Sequence, residues 1–199
     1  MKKMWMQRTR RAFIVSLTLM LPLSGLVSGF AWPQDVGEAG RQDGQEEPFL
    51  ALLDLTRQGQ RAPALAFVDG AGREVTLQSY AGESLVVNFW ASWCAPCIVE
   101  MPALNALSQA FSGQGLRVLA INTDFDASVG AQWLQAAGLE ALEPFYDATG
   151  NAFFDAGGTG LPYSLIIDPS GLIIAELFGD ALWDSPAARD YLSLSLYKP

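Results

Sequence analysis

The sequence predicts an α/β domain built on a mixed β-sheet with helices on both faces. Three observations point there. Apolar runs rich in β-branched residues at Leu85–Trp90, Leu116–Asn122 and Ser164–Asp168 read as buried strands. Between the first two, Ile98, Met101, Leu104, Leu107 and Phe111 recur at helical spacing, which makes a parallel strand–helix–strand unit with a right-handed crossover. Half of the 199 residues are apolar and 11% aromatic, enough for one full core.

The elements follow in order. Residues 1–31 hold Lys2, Lys3, Arg8, Arg10 and Arg11, no acidic residue, and an apolar stretch from Ala12 to about Val27 broken by Pro22 and Gly25. This reads as an export signal, with small residues at Ser28, Gly29 and Ala31 for cleavage. Thr9-Arg10-Arg11-Ala12-Phe13-Ile14 fits a twin-arginine signal, and an ordinary Sec signal fits as well. The apolar run is also borderline in length for an uncleaved membrane anchor. Residues 32–60 are expected to be a tether and one short helix: Gln34–Glu47 is polar and Gly-rich, while Phe49, Leu50, Leu52, Leu53 and Leu55 suggest an amphipathic turn or two ended by Gly59.

The main domain is placed at 61–199. It opens with a strand pair, Leu65–Val68 and Glu74–Leu77, around an Asp69-Gly70-Ala71-Gly72 turn. After the Leu116–Asn122 strand, a helix is expected over about Ala127–Ala137, stopped by Gly138. Ser164–Asp168 and Leu172–Phe178 flank the Asp168-Pro169-Ser170-Gly171 turn as an antiparallel hairpin. A closing helix runs from Ser185 to about Leu194, with Ser185 as N-cap and Pro186 at its first position.

Charge narrows the function. The formal net charge is −9, and loss of residues 1–31 leaves 7 basic against 21 acidic residues. Such a body is a poor partner for nucleic acid, whose phosphates need Lys and Arg, and for anionic lipid. Any membrane contact is expected only through the N-terminal segment.

The chemistry is concentrated in Trp93-Cys94-Ala95-Pro96-Cys97, which contains the chain's only two cysteines and sits between a strand and a helix. Cys94 precedes the first helical turn, where free backbone N–H groups and the helix dipole favour a thiolate. Such a thiolate can attack a disulfide, and Cys97 one turn later can resolve the mixed disulfide. Zinc needs four ligands, and the chain offers no further Cys and no His. A purely structural bridge over so short a loop constrains the unfolded chain little. The pair reads as a dithiol/disulfide exchange site that needs neither metal nor cofactor.

Val87-Asn88-Phe89-Trp90-Ala91-Ser92-Trp93-Cys94-Ala95-Pro96-Cys97, followed by Glu100-Met101-Pro102, resembles the active-site signature of the thioredoxin superfamily, and within it the TlpA/ResA/DsbE group. Gly160-Leu161-Pro162, Leu165–Gly171 and Trp183-Asp184-Ser185-Pro186 extend the resemblance from about Ala62 to Leu194. It implies a thioredoxin-like fold, with the early strand pair as the group's N-terminal β-hairpin extension. It also implies roles. Cys94 is the attacking nucleophile and Cys97 the buried resolving thiol, with Ala95 and Pro96 between them tuning acidity and potential. Leu161-Pro162 resembles the family's cis-proline loop, which with Trp93, Ala95 and Pro96 meets a bound cysteine peptide. Asn88 stands where plain thioredoxin has a buried aspartate, and Glu100 maps to the group's glutamate, a half-buried carboxylate of raised pKa that exchanges protons with the thiols. Trp90 and Trp93 are expected to pack at the core and the rim.

By the same resemblance the chain is an exported reductase, recharged by a membrane electron donor of the CcdA/DsbD type. Its clients are disulfides in exported proteins, with apocytochrome c and copper-site assembly proteins the usual ones. A disulfide-donating oxidant is the nearest rival. A thiol peroxidase needs Thr three residues before its cysteine, where this chain has Ala91. A redox-gated binding module would need a large exposed apolar surface, for which Phe49, Leu50 and Leu53 are the candidates.

Overall fold

A computed structural model describes residues 49–196 of the chain. The expected export segment and the polar stretch to Glu47 lie outside the described residues. Seven strands form one mixed sheet: β1 (Ala66–Val68), β2 (Glu74–Thr76), β3 (Ser84–Trp90), β4 (Leu116–Asn122), β5 (Phe145–Tyr146), β6 (Tyr163–Ile167) and β7 (Ile173–Phe178), in the order β2-β1-β5-β4-β3-β6-β7. Strand β3 runs at its heart, parallel to β4 and antiparallel to β6, and is buried along its whole length. That burial is why Leu85–Trp90 lacks polar alternation.

Among the described residues four α-helices cover the sheet: α1 (Ala95–Ala110), α2 (Ala127–Ala136), α3 (Asn151–Ala156) and α4 (Pro186–Leu196). One face packs Val86, Trp90, Ala120 and Ile166 against Cys97, Met101, Leu104 and Leu107 of α1, Leu134 of α2, and Ala188 and Leu192 of α4. The other packs Val87, Phe89, Leu119 and Leu165 against Ala152 and Ala156 of α3 and Leu77, which opens a 3-10 turn. Period-two alternation along β3 thus feeds two cores. The caps fall where the side chains dictate: Asp126 accepts from Ser128 N–H at the start of α2, and Ser185 Oγ accepts from Ala188 N–H at the start of α4.

The expected hairpin forms as β1 and β2, and its β1 strand joins the sheet through β5, with Val68 opposite Tyr146. Asp69 Oδ1 closes the turn by accepting from the N–H groups of Ala71 and Arg73, while Gly72 takes a left-handed φ of 77°.

One element differs from expectation. The helix foreseen around Phe49–Leu55 is a single 3-10 turn, Leu50–Leu52. Asp54 is drawn instead into reciprocal backbone bonds with Glu176 of β7, at 2.8 and 2.9 Å. Gly59, Gln60 and Ala62 continue the pairing along the same edge. Phe49 and Leu53 pack into the domain rather than offering an exposed docking face, although Leu50 remains exposed.

Candidate active site

Strand β3 ends at Trp90, and the turn Ala91-Ser92-Trp93 delivers Cys94 as the N-cap of α1. Cys94 and Cys97 form a disulfide with their Cα atoms 5.3 Å apart. Cys97 N–H points back at Cys94 Sγ, 3.3 Å away. This is the donor that would stabilise a thiolate there once the bond is reduced. Cys94 is 5% exposed and Cys97 fully buried, so Cys94 is the more accessible of the two sulfurs. Around it Trp93 is 71% exposed, and Ala95 and Pro96 lie at the surface. Trp90, by contrast, is wholly buried, with its indole N–H donating to Ala120 O.

The Leu161–Pro162 peptide is cis. Phe89 pairs with Tyr163, so Pro162 falls at the sheet end where β3 hands over to the CxxC turn. Its carbonyl accepts from Gly179 N–H at the end of β7, and Leu161 packs against the core cluster that holds both cysteines.

Glu100 lies one turn beyond Cys97 on the buried side of α1, at 2% exposure, deeper than the half-buried position expected. The reason is that three donors follow it inward. Asn88 Nδ2 donates to Oε1 at 2.8 Å, while Trp183 Nε1 and Ala181 N–H donate to Oε2 at 2.8 and 3.0 Å. Burial pushes the carboxyl up from an ordinary 4.5 to about 7; the donors pull against this and the nearby Asp180 charge adds to it. Asn88 spends its second N–H on Ser164 Oγ, so it orients the carboxylate instead of taking a proton itself.

Two features escape the sequence. Asp124, buried just past β4, accepts from Ser92 N–H and Oγ at 2.9 and 3.0 Å and from Asn122 Nδ2 at 2.8 Å. It clasps the turn that carries Cys94. Trp183 turns out to be a donor to Glu100; its place in the late Trp183-Asp184-Ser185-Pro186 motif is a signal, but that motif names no partner. Among the described residues no group of three His, Cys, Asp or Glu is gathered to hold a metal ion. What the arrangement can do is exchange two electrons as a dithiol/disulfide pair, with a carboxyl able to take or give a proton near neutrality.

Residues 58–177 match the model of the AhpC/TSA family. The chain is 28% identical over 133 residues to the thiol-disulfide oxidoreductase ResA of Bacillus anthracis, covering 66% of this chain and 76% of that one. It is 31% identical over 130 residues to the thiol:disulfide interchange protein DsbE of Vibrio cholerae, covering 64% of this chain and 68% of that one. A thiol:disulfide interchange protein of the thioredoxin family from Chlorobium tepidum superposes with a TM-score of 0.58 at 25% identity, over 69% of this chain and 97% of the other. Sequence, fold and geometry agree: the chain belongs to the AhpC/TSA family and is a thiol–disulfide oxidoreductase of the ResA/DsbE type.

Proposed function

We propose that this enzyme is exported and works as a reductase of disulfides in exported proteins, of the kind handled in cytochrome c or copper-site maturation. Reduced Cys94 attacks one sulfur of a client disulfide as a thiolate and releases the other as a client thiolate. Cys97 gives its proton to the Glu100 carboxylate, attacks Cys94 Sγ, and frees the second client sulfur. Two electrons pass to the client, and the Cys94–Cys97 disulfide remains. A membrane dithiol donor of the CcdA/DsbD type then restores the reduced pair. Trp93, Ala95, Pro96, Leu161 and Pro162 form the rim that a client segment meets. The observation that carries this reading is the pairing of a reachable Cys94 at a helix N-terminus with a buried Cys97 one turn from a carboxyl poised near neutrality. Export is supported by the basic and then apolar N-terminal stretch, and by a chain that uses its only two cysteines in one exchange motif.

The test is the reduction potential of the full-length chain against a dithiothreitol or glutathione series. A value near or below about −270 mV, that of thioredoxin, is expected. A value near about −120 mV would make the protein a disulfide donor and reverse the direction assigned here. Cys97→Ser should trap a mixed disulfide between Cys94 and a client, visible on a non-reducing gel, whereas Cys94→Ser should trap none and turn over no substrate.

A further inference from the structure

Phe49 precedes the 3-10 turn Leu50–Leu52 and is only 2% exposed. It meets Trp183 edge-on at 5.4 Å between ring centroids and Tyr191 of α4 at 6.0 Å. Trp183 is fully buried, and its indole N–H donates to Glu100 Oε2. One side chain, Trp183, therefore separates Phe49 and the segment that follows it from the carboxyl beside the redox pair. The segment is also held in place, because Asp54 exchanges two backbone bonds with Glu176 a few residues on.

We propose that Phe49 is a positioning residue: by packing on Trp183 it shields the Glu100 carboxyl from water, so that docking of residues 49–62 governs proton exchange at the cysteine pair. The link to proton exchange rests on the function proposed above, but the coupling of Phe49 to Glu100 does not. The hydrogen-bonding and titratable groups on the elements around Glu100 include Cys97 on α1, Asn88 on β3, Ser164 on β6, Asp180, Trp183 and Asp184 in the loop before α4, and Arg189, Asp190 and Tyr191 on α4. Of these, and apart from Glu100 itself, only Trp183 is altered in the variants below, as the control for a lost donor.

The experiment is a pH titration of the oxidised full-length chain carrying 13C-carboxyl-labelled glutamate, followed by NMR, with the Glu100 signal identified by its loss in Glu100→Gln. The parent should titrate at about 7. Phe49→Ala opens a water path past Trp183 and should lower that midpoint by about one pH unit, tenfold in proton affinity. Phe49→Leu, which refills the site, should stay near the parent. Trp183→Phe removes a donor while keeping the site filled, and should move the midpoint the other way. If the alanine variant does not fold, Phe49→Val carries the same test with the same sign. A parental midpoint in folded Phe49→Ala (or Phe49→Val), or a shift there in the Trp183→Phe direction, would overturn the proposal. Should Glu100→Gln leave thiol exchange and its pH profile unchanged, the proton role of Glu100 falls, while the NMR result on Phe49 stands by itself.

Discussion

Glu100 is held by three donors, none of them a cation: an amide, an indole and a backbone N–H. Hydrogen bonds orient its charge without neutralising it, and burial therefore wins, setting the carboxyl at about 7 against an ordinary 4.5. A group whose folded pKa lies above its unfolded one binds its proton more tightly in the folded chain. The stability this supplies is complete below about pH 4.5 and is lost as pH rises through about 7. The shift corresponds to a loss on the order of 3 kcal/mol. Urea unfolding of the oxidised chain between pH 4 and pH 8.5 should show this decline, and Glu100→Gln should flatten it. Asp54, Asp69 and Asp126 work in the opposite sense, because bonds from Thr56, Arg73 and Ser128 hold them below the usual carboxylate range. Comparing parent with Glu100→Gln cancels their contribution. A parent that gains stability over that range, with a variant that follows it, would show that Glu100 ionises as an ordinary surface carboxylate.

Three elements meet at the turn that bears Cys94. Thr123 N–H, just past β4, bonds to Trp90 O at the end of β3; Asp124 clasps Ser92; and α2 lies so close that a Cβ on Gly130 would sit 2.4 Å from Asn122 Cγ. Glycine in a helix is ordinarily worth replacing, since alanine gains about 1 kcal/mol in the interior. Here Gly130→Ala should instead destabilise by about 1–3 kcal/mol, because Asn122 is tied to Asp124 and cannot step aside. A thermal unfolding midpoint raised by this substitution would refute the close-approach argument. The same region shows what a sequence can and cannot reveal. β3 and β4 are legible as unbroken apolar runs, α1 by the helical spacing of its apolar residues, α2 and α4 by the Gly138 stop and the Ser185-Pro186 cap, and the Cys94–Cys97 and Glu100 positions because they sit in one contiguous motif. β5 has two residues and α3 six, too short for any period to stand out. The turn at Leu50–Leu52 misleads because the apolar residues beside it look helical, while the backbone at Asp54 is already committed to β7. Asp124 with Ser92 and Trp183 with Glu100 are partners 32 and 83 residues apart, and chain spacing carries no trace of them.

Across the described residues, two buried glutamates lie on opposite sides of the sheet. Glu100 faces the α1 side without a counter-cation; Glu176 of β7 lies on the other side, with Arg57 Nη1 at 3.0 Å and the Tyr163 hydroxyl donating to the same oxygen. Arg57 also donates to Ala156 O at 2.7 Å, so a single guanidinium joins the N-terminal strap, α3 and β7. That strap, residues 54–62, covers the outer edge of β7, which would otherwise expose unpaired N–H and C=O groups to other chains. The opposite edge is protected differently, by a β2 of only three residues with Arg73 and Glu74 at its start. The Arg57–Glu176 ion pair thus reinforces the backbone bonds by which the strap is held to this edge. Arg57→Met keeps most of the side chain's bulk but leaves Glu176 buried without its cation, a loss of about 3–5 kcal/mol when one partner of such a pair is removed. The variant should unfold at lower urea, and limited proteolysis should cut within 54–62, where the parent resists. Adding Glu176→Gln to Arg57→Met removes the stranded charge and should restore part of the lost stability, although Glu176→Gln alone should lower it. If the double variant is instead no more stable than Arg57→Met, the cost lies in the lost bond to Ala156 O rather than in the uncompensated carboxylate.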